Sequence, residues 1–257
     1  MTATRVRIAA VSYLNTIPFI YGIEHAGKLH ADLLLSPPAG CAEVFARGEA
    51  DIALIPVGAL PALAGDSKIV TNYCLGAQGG VRSVVLASNT PLKDIRTLYL
   101  DSHSRTSVLL TRYLAVKKWD IAPDWKELTD YTLLDNPAEG DAFLLIGDKV
   151  FPREGQFRYW YDLSDEWKEL TRLPFVFAVW VAREGVAPEV LDALEESLTW
   201  GLERTWEAIV EYGYDKLPYA YDYLTVNMDY LFDAQKRKAL GKFWNDGLKI
   251  TLRINPG

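Results

Sequence analysis

Cysteine is almost missing from this 257-residue chain: there are 2, Cys41 and Cys74, far apart and outside any CxxC pair. That argues against a disulfide scaffold and against a thiolate zinc site. Histidine is scarce too, at 3 residues, and no HExxH, EF-hand loop, P-loop or GxGxxG pattern occurs. Neither a metal nor a nucleotide cofactor is therefore expected. Positive charge is also short, with 27 Lys and Arg against 34 Asp and Glu and a formal net charge of -7. No cationic stripe of the kind that binds nucleic acid is visible. No apolar run approaches the ~18 residues of a membrane-spanning helix. The first 16 residues lack a basic segment followed by a long apolar one, so no secretory signal is read and a cytoplasmic location is expected. What the chain does have is apolar residues, 49% of the total and spread along its length. That is enough for a sizeable core in one large domain or two modest ones, and it disfavours disorder.

The pattern alternates strands and helices through the first half. Residues 6–11 are a compact apolar run, read as a buried strand. A loop follows over 12–16, and Pro18 suits the first turn of a helix. Residues 33–35 read as a short strand and 41–47 as a helix closed by Gly48. Residues 51–55 read as another buried strand, with Pro56 opening a further helical turn. This rhythm predicts a largely parallel sheet covered by helices. Further strands are expected at 82–88, 97–100, 131–134, 142–146 and 175–182. A helix is expected over 106–118, with Val108, Leu109, Arg112, Tyr113 and Val116 offering a helical stripe. Residues 190–211 and 230–247 read as amphipathic helices.

Two long apolar strands, 82–88 and 175–182, bracket the middle of the chain. A chain that leaves one α/β domain and later returns crosses twice. The expected organisation is α/β with two lobes joined by two hinge strands, and ligand in the cleft between them. Lobe one takes residues 1–86 and 179–257, and lobe two takes 87–178.

At this point particular motifs stand out. VSYLNTIPF at 11–19 is similar to the N-terminal signature of the chorismate dehydratases, futalosine-route enzymes of menaquinone biosynthesis. GEADIALIP at 48–56, SRTSV at 104–108, LLIGD at 144–148, DEWK at 165–168, PFVFAVW at 174–180 and YLT at 223–225 follow in order. Together they extend the resemblance over nearly the whole chain. SYLNT with SRTSV is the specific pair, because GEADIALIP suits many periplasmic-binding-protein-like chains. His103, residues 78–81 and residues 253–257 depart from the pattern. The resemblance implies a type II periplasmic-binding-protein-like fold. It also implies a cofactor-free lyase that dehydrates chorismate to 3-[(1-carboxyvinyl)oxy]benzoate. Two rivals stand beside it. One is the sibling enzyme that makes 1,4-dihydroxy-6-naphthoate, and the other is a non-catalytic binding protein for a small carboxylate.

Chorismate is a dianion, so an acidic protein must hold it with local donors. SRTSV precedes the expected helix at 106–118. Its N–H groups and the hydroxyls of Ser104, Thr106 and Ser107 form a carboxylate cradle, with Arg105 as a fork-shaped donor. The plainer alternative is an N-cap with Arg105 in solvent. Ser12, Asn15 and Thr16 follow the first strand. Ser12 and Thr16 are assigned to substrate binding and Asn15 to catalysis, orienting the departing hydroxyl or steadying developing charge. An Asx turn before Pro18 is the alternative for Asn15. Ser83 stands at the first hinge strand beside Arg82, as a carboxylate ligand or a strand residue paired to backbone. Gly147 lets main chain approach ligand closely, while Asp148 reads as a cap. Apart from His103 the motifs offer no protein base, so the substrate's own enolpyruvyl carboxylate is expected to take the proton. The late aromatic cluster, including Trp200, Trp206, Tyr223 and Trp244, is read as packing, with a homodimer as the further expectation.

Overall fold

Each of the two expected buried strands near the N-terminus is apolar along its whole inner length, which is the composition of a strand covered on both faces. In the computed structural model, which describes residues 5–63, 65, 67–101 and 103–254, the last seven by backbone alone, both strands form. The order begins β1 (Val6–Val11), α1 (Ile17–His25), β2 (Ala31–Ser36), α2 (Pro38–Ala46), β3 (Ile52–Pro56) and β4 (Ser67–Ala77). It continues with β5 (Val84–Ser88), β6 (Thr97–Leu100), α3 (Arg105–Leu114), β7 (Asp124–Glu127), β8 (Asp141–Ile146), β9 (Tyr159–Asp162) and α4 (Leu163–Thr171). It closes with β10 (Phe175–Arg183), α5 (Pro188–Leu202), α6 (Thr205–Glu211), α7 (Ala220–Asp222), β11 (Asp229–Leu231) and α8 (Ala234–Ile254).

The chain divides into two units. One joins the residues up to Gly76 with Val176–Asp233, and the other joins Ala77–Phe175 with the chain from Ala234 on. The expected boundaries at 86/87 and 178/179 therefore lie several residues off. The last helix also groups with the second unit instead of the first. The reason is packing: Phe243 of α8 meets Trp167 and Phe175 edge-on, at ring-centroid distances of 5.9 and 5.2 Å.

The first unit holds a six-stranded sheet in the order β11-β4-β10-β3-β1-β2. β1 runs parallel to β2 and β3, while β10 runs antiparallel to β3. The sheet is mixed, not largely parallel as the pattern predicts. Pro56 ends β3 opposite Ala178, at a strand terminus where a missing donor is tolerated, and its carbonyl accepts from the Ala59 N–H at 2.8 Å in a turn that leads into a 3₁₀ turn over Leu60–Ala62. α1 starts at Ile17 with Pro18 in its first turn. It packs on α5 so closely that a Cβ on Gly201 would lie 1.9 Å from the Pro18 carbonyl oxygen. A Cβ on Gly22 would lie 2.0 Å from the Ser197 carbonyl oxygen. Only glycine permits that approach. The expected helix at 190–211 is two helices, α5 and α6.

The second unit holds a five-stranded sheet in the order β7-β6-β8-β5-β9. β6 is parallel to β7 and β8, and β5 is antiparallel to β8 and β9. Strand β5 starts at Val84, because Arg82 takes a left-handed φ of 67°. Residues 131–134 are a 3₁₀ turn, not a strand. The Asp130 carboxylate accepts from the Thr132 N–H at 2.9 Å and from its hydroxyl at 2.6 Å, which winds the chain there. Helix α3 ends at Leu114 and passes into a π turn over Ala115–Trp119. α3 buries Thr106, Ser107, Leu110, Thr111, Tyr113 and Leu114 at helical spacing, so of the expected stripe Tyr113 is buried, while Val116 in the π turn is exposed.

Candidate active site

In the first unit the loop after β1 is built on the sheet's own ladder. The Ser12 N–H donates to the Ser36 carbonyl at 3.0 Å, extending the β1–β2 pairing by one residue. The chain then tightens into a 3₁₀ turn, Leu14–Thr16, and enters α1. Ser12 is exposed, Asn15 half-buried and Thr16 wholly buried. The Thr16 hydroxyl donates to Asn15 Oδ1 at 3.1 Å, so the Asn15 amide oxygen faces Thr16 and its NH₂ turns the other way. The Tyr230 hydroxyl donates to the Asn15 carbonyl at 3.0 Å. Tyr230 is held by edge-on packing against Phe19 at 5.1 Å, and burial pushes its phenol well above the ordinary value, so it stays a neutral donor. The three residues expected here are thus together at the C-terminal end of β1. Tyr230, 215 positions away in sequence, was not singled out.

In the second unit β6 and β8 are parallel, so both point their C-terminal ends the same way. β5 is antiparallel to β8, so its first residues lie beside the end of β8. This brings Ser83, the start of α3 and Gly147 to one end of the sheet. The Gly147 N–H donates to the Ser83 carbonyl at 2.8 Å. Gly147 has a φ of 66°, the left-handed region where glycine is favoured. Ser83 is buried, at 1% exposure.

Ser104 caps α3. Its Oγ accepts from the Ser107 N–H at 3.2 Å and its hydroxyl donates to Ser107 Oγ at 2.9 Å. The capping alternative therefore describes Ser104 in this structure, and Ser107 is left with its own O–H to donate. Thr106 and Ser107 are buried and Arg105 is exposed. Arg82 is committed elsewhere: its guanidinium donates to Glu154 at 2.7 and 2.8 Å and lies over the Phe151 ring. His103 has a half-exposed side chain, with Nδ1 3.8 Å from an Asp101 oxygen.

Two carboxylates that the sequence reading passed over organise this end of the sheet. Asp101, directly after β6, is 1% exposed and accepts from the Tyr131 hydroxyl at 2.8 Å and the His103 N–H at 3.1 Å, and it pairs with Lys149. Asp162 caps α4, accepting from the N–H groups of Ser164 at 2.9 Å and Arg82 at 2.5 Å. Burial raises its carboxyl to about 6, against the lowering effect of those N–H groups. The DEWK segment is structural by its contacts. Trp167 is fully buried and donates from Nε1 to the Pro174 carbonyl at 3.0 Å, while Glu166 accepts from Trp119 Nε1 at 2.5 Å. Among the described residues no three or more His, Cys, Asp or Glu gather where they could hold a metal ion. No helix among them is long and apolar enough to cross a membrane.

Two mixed sheets with this connectivity define a periplasmic-binding-protein-like fold. A solved protein of Archaeoglobus fulgidus matches with a TM-score of 0.77 at 18% identity, over 98% of this chain and 100% of that one. A Candida albicans protein described as exhibiting the generic periplasmic binding protein fold matches at 0.64 and 14% identity, over 97% and 95%. The alkanesulfonate-binding protein of Xanthomonas axonopodis pv. citri, solved with MOPS, matches at 0.67 and 13%, over 96% and 93%. Within that fold the chain belongs to the menaquinone biosynthesis family, whose pattern it matches over residues 6–247. It is also similar to the chorismate dehydratase of Thermus thermophilus, 28% identical over 217 residues, 76% of this chain and 77% of that protein.

Proposed function

We propose that this protein is a lyase that dehydrates chorismate to 3-[(1-carboxyvinyl)oxy]benzoate, a step of menaquinone biosynthesis. The observation that carries the reading is the family match over residues 6–247. It is supported by the position of both specific motifs, SYLNT and SRTSV, directly after the C-terminal ends of β1 and β6, where α/β sheets present their ligand-binding loops.

On this reading the start of α3 holds a carboxylate with its N–H groups and with the hydroxyls of Thr106 and Ser107. Ser104 acts through the cap, by orienting Ser107. Gly147 brings main chain close, beside Ser83, and Arg105 adds an external cation. In the first unit Ser12 and Thr16 flank Asn15, whose amide donates to the hydroxyl that departs. The proton on the ring carbon bearing the ether passes to the substrate's enolpyruvyl carboxylate. Its electron pair delocalises toward the ring carboxylate, and the neighbouring carbon then releases its hydroxyl. That hydroxyl takes up the same proton and leaves as water, and the ring becomes aromatic. Hydrogen bonds to the ring carboxylate strengthen as charge arrives there, which is the condition for catalysis and not mere binding. The reading places the protein in the cytoplasm. Buried Cys41 and Cys74, which form no disulfide, suit a reducing compartment.

The test is incubation of the purified protein with chorismate alone, followed by mass spectrometry and ultraviolet absorbance. Loss of one water and appearance of an aromatic enolpyruvyl ether are expected. A second reading, reversible binding of an anion, is favoured by the fold shared with the alkanesulfonate-binding protein. Recovery of unaltered chorismate from folded protein would support that reading instead.

A further inference from the structure

Three separate chain segments converge on one buried carboxylate in the second unit. Asp101 directly follows β6, Tyr131 comes from the 3₁₀ turn Tyr131–Leu134, and Lys149 lies two residues after Gly147. The Tyr131 hydroxyl donates to Asp101 Oδ2 at 2.8 Å, and Lys149 Nζ reaches both Asp101 Oδ2 and the Tyr131 hydroxyl, the latter at 2.6 Å. The ammonium also sits 4.7 Å from the Tyr131 ring centroid. The other Asp101 oxygen accepts from the His103 N–H at 3.1 Å. A carboxylate that is 1% exposed is costly unless paired and hydrogen-bonded, and here donors from three segments satisfy it.

We propose that Asp101, Lys149 and Tyr131 are positioning residues for the site of the dehydratase, a role that rests on the functional reading above. The cluster ties the turn that carries Gly147 to the loop that ends in Ser104, the cap of α3. Its two charges cancel, so it does not itself draw in a dianion. Its effect is geometric: it fixes the donor-bearing start of α3 relative to the Gly147 turn. Loosening it leaves each donor in place chemically but misaligned, which weakens the grip on substrate.

The experiment compares full-length Asp101→Asn, Lys149→Met and Lys149→Arg by steady-state turnover of chorismate, with melting curves on each. Misalignment that forfeits one charge-assisted hydrogen bond to the substrate carboxylate predicts a KM rise of about tenfold or more for Asp101→Asn and Lys149→Met. Lys149→Arg, which keeps a cationic donor, should recover most of the loss. A merely structural role would lower the folded fraction, cutting turnover per mole at unchanged KM. Where those variants do not fold, Tyr131→Phe removes one donor and leaves the Asp101–Lys149 pair, and its KM should still rise. Active wild type with unchanged KM in the folded variants overturns the positioning role alone. Wild type inactive on chorismate overturns the functional reading and this role with it.

Discussion

Replacing Gly201 with alanine perturbs the helix pair that carries the Asn15 loop. The new Cβ would stand 1.9 Å from the Pro18 carbonyl oxygen and 2.8 Å from the Gly22 nitrogen. Both are backbone atoms, so no rotamer change relieves the clash. Ordinary contact begins near 3.4 Å, so α1 and α5 must part by about 1.5 Å in a tightly packed interior. Overpacking of this kind costs about 3 kcal/mol, and alanine's better helix propensity returns only about 1, leaving a net loss of about 2 kcal/mol. For a chain of this size that lowers the melting point by about 4–8 °C. Gly22→Ala meets the Ser197 carbonyl oxygen at 2.0 Å and should cost a similar amount. The double variant should cost less than the two single losses together, because one separation relieves both clashes. Since α1 begins directly after Thr16, the shift also displaces Asn15, and turnover should fall at temperatures where the variant remains folded. Urea titration followed by tryptophan fluorescence reads the stability. A Gly201→Ala midpoint at or above that of the wild type would refute the reasoning.

Other outcomes follow from single groups. Asp162 has a carboxyl held at about 6 by burial, against an ordinary 3.8, so the folded state binds this proton more tightly than the unfolded chain. Its contribution to stability is complete below the unfolded value and is lost as pH rises through the folded one. From pH 4 to 7 the stability of Asp162→Asn should therefore gain about 2 kcal/mol relative to wild type, read by urea midpoints. A difference that stays flat with pH would count against that burial effect. His103→Ala should leave chorismate turnover within about threefold of wild type, since a general base is worth at least about a hundredfold. A hundredfold loss with binding intact would make His103 the proton acceptor.

The apolar strands were readable because burial on both faces leaves a composition signature. β1, β3, β5, β8 and β10 lie inside their sheets and were expected within a few residues. β7 (DWKE) and β9 (YWYD) are sheet edges, where polar residues are tolerated, and they carry no such signature. β4 mixes covered and open positions without a clean period, so it passed unnoticed. Strand direction was not legible either: β10 and β5 are as apolar as parallel strands but run antiparallel to their neighbours. SYLNT and SRTSV, the candidate site segments, were legible because each motif is local. Tyr131, Lys149 and Tyr230 reach their partners across long sequence separations, and no spacing announces them. The C-terminal helix falls in lobe one of the expected organisation. Aromatic packing against Trp167 and Phe175 decides otherwise.

In this mechanism neutral hydrogen-bond donors, and not a titrating protein side chain, carry the chemistry. Turnover of chorismate by Asn15→Ala tests it most directly, because the half-buried Asn15 side chain meets Thr16 at 3.1 Å and its removal should leave the fold in place. A fall in kcat of about 10²–10³ is expected, with a melting point close to that of wild type. Turnover at the wild-type rate would contradict it.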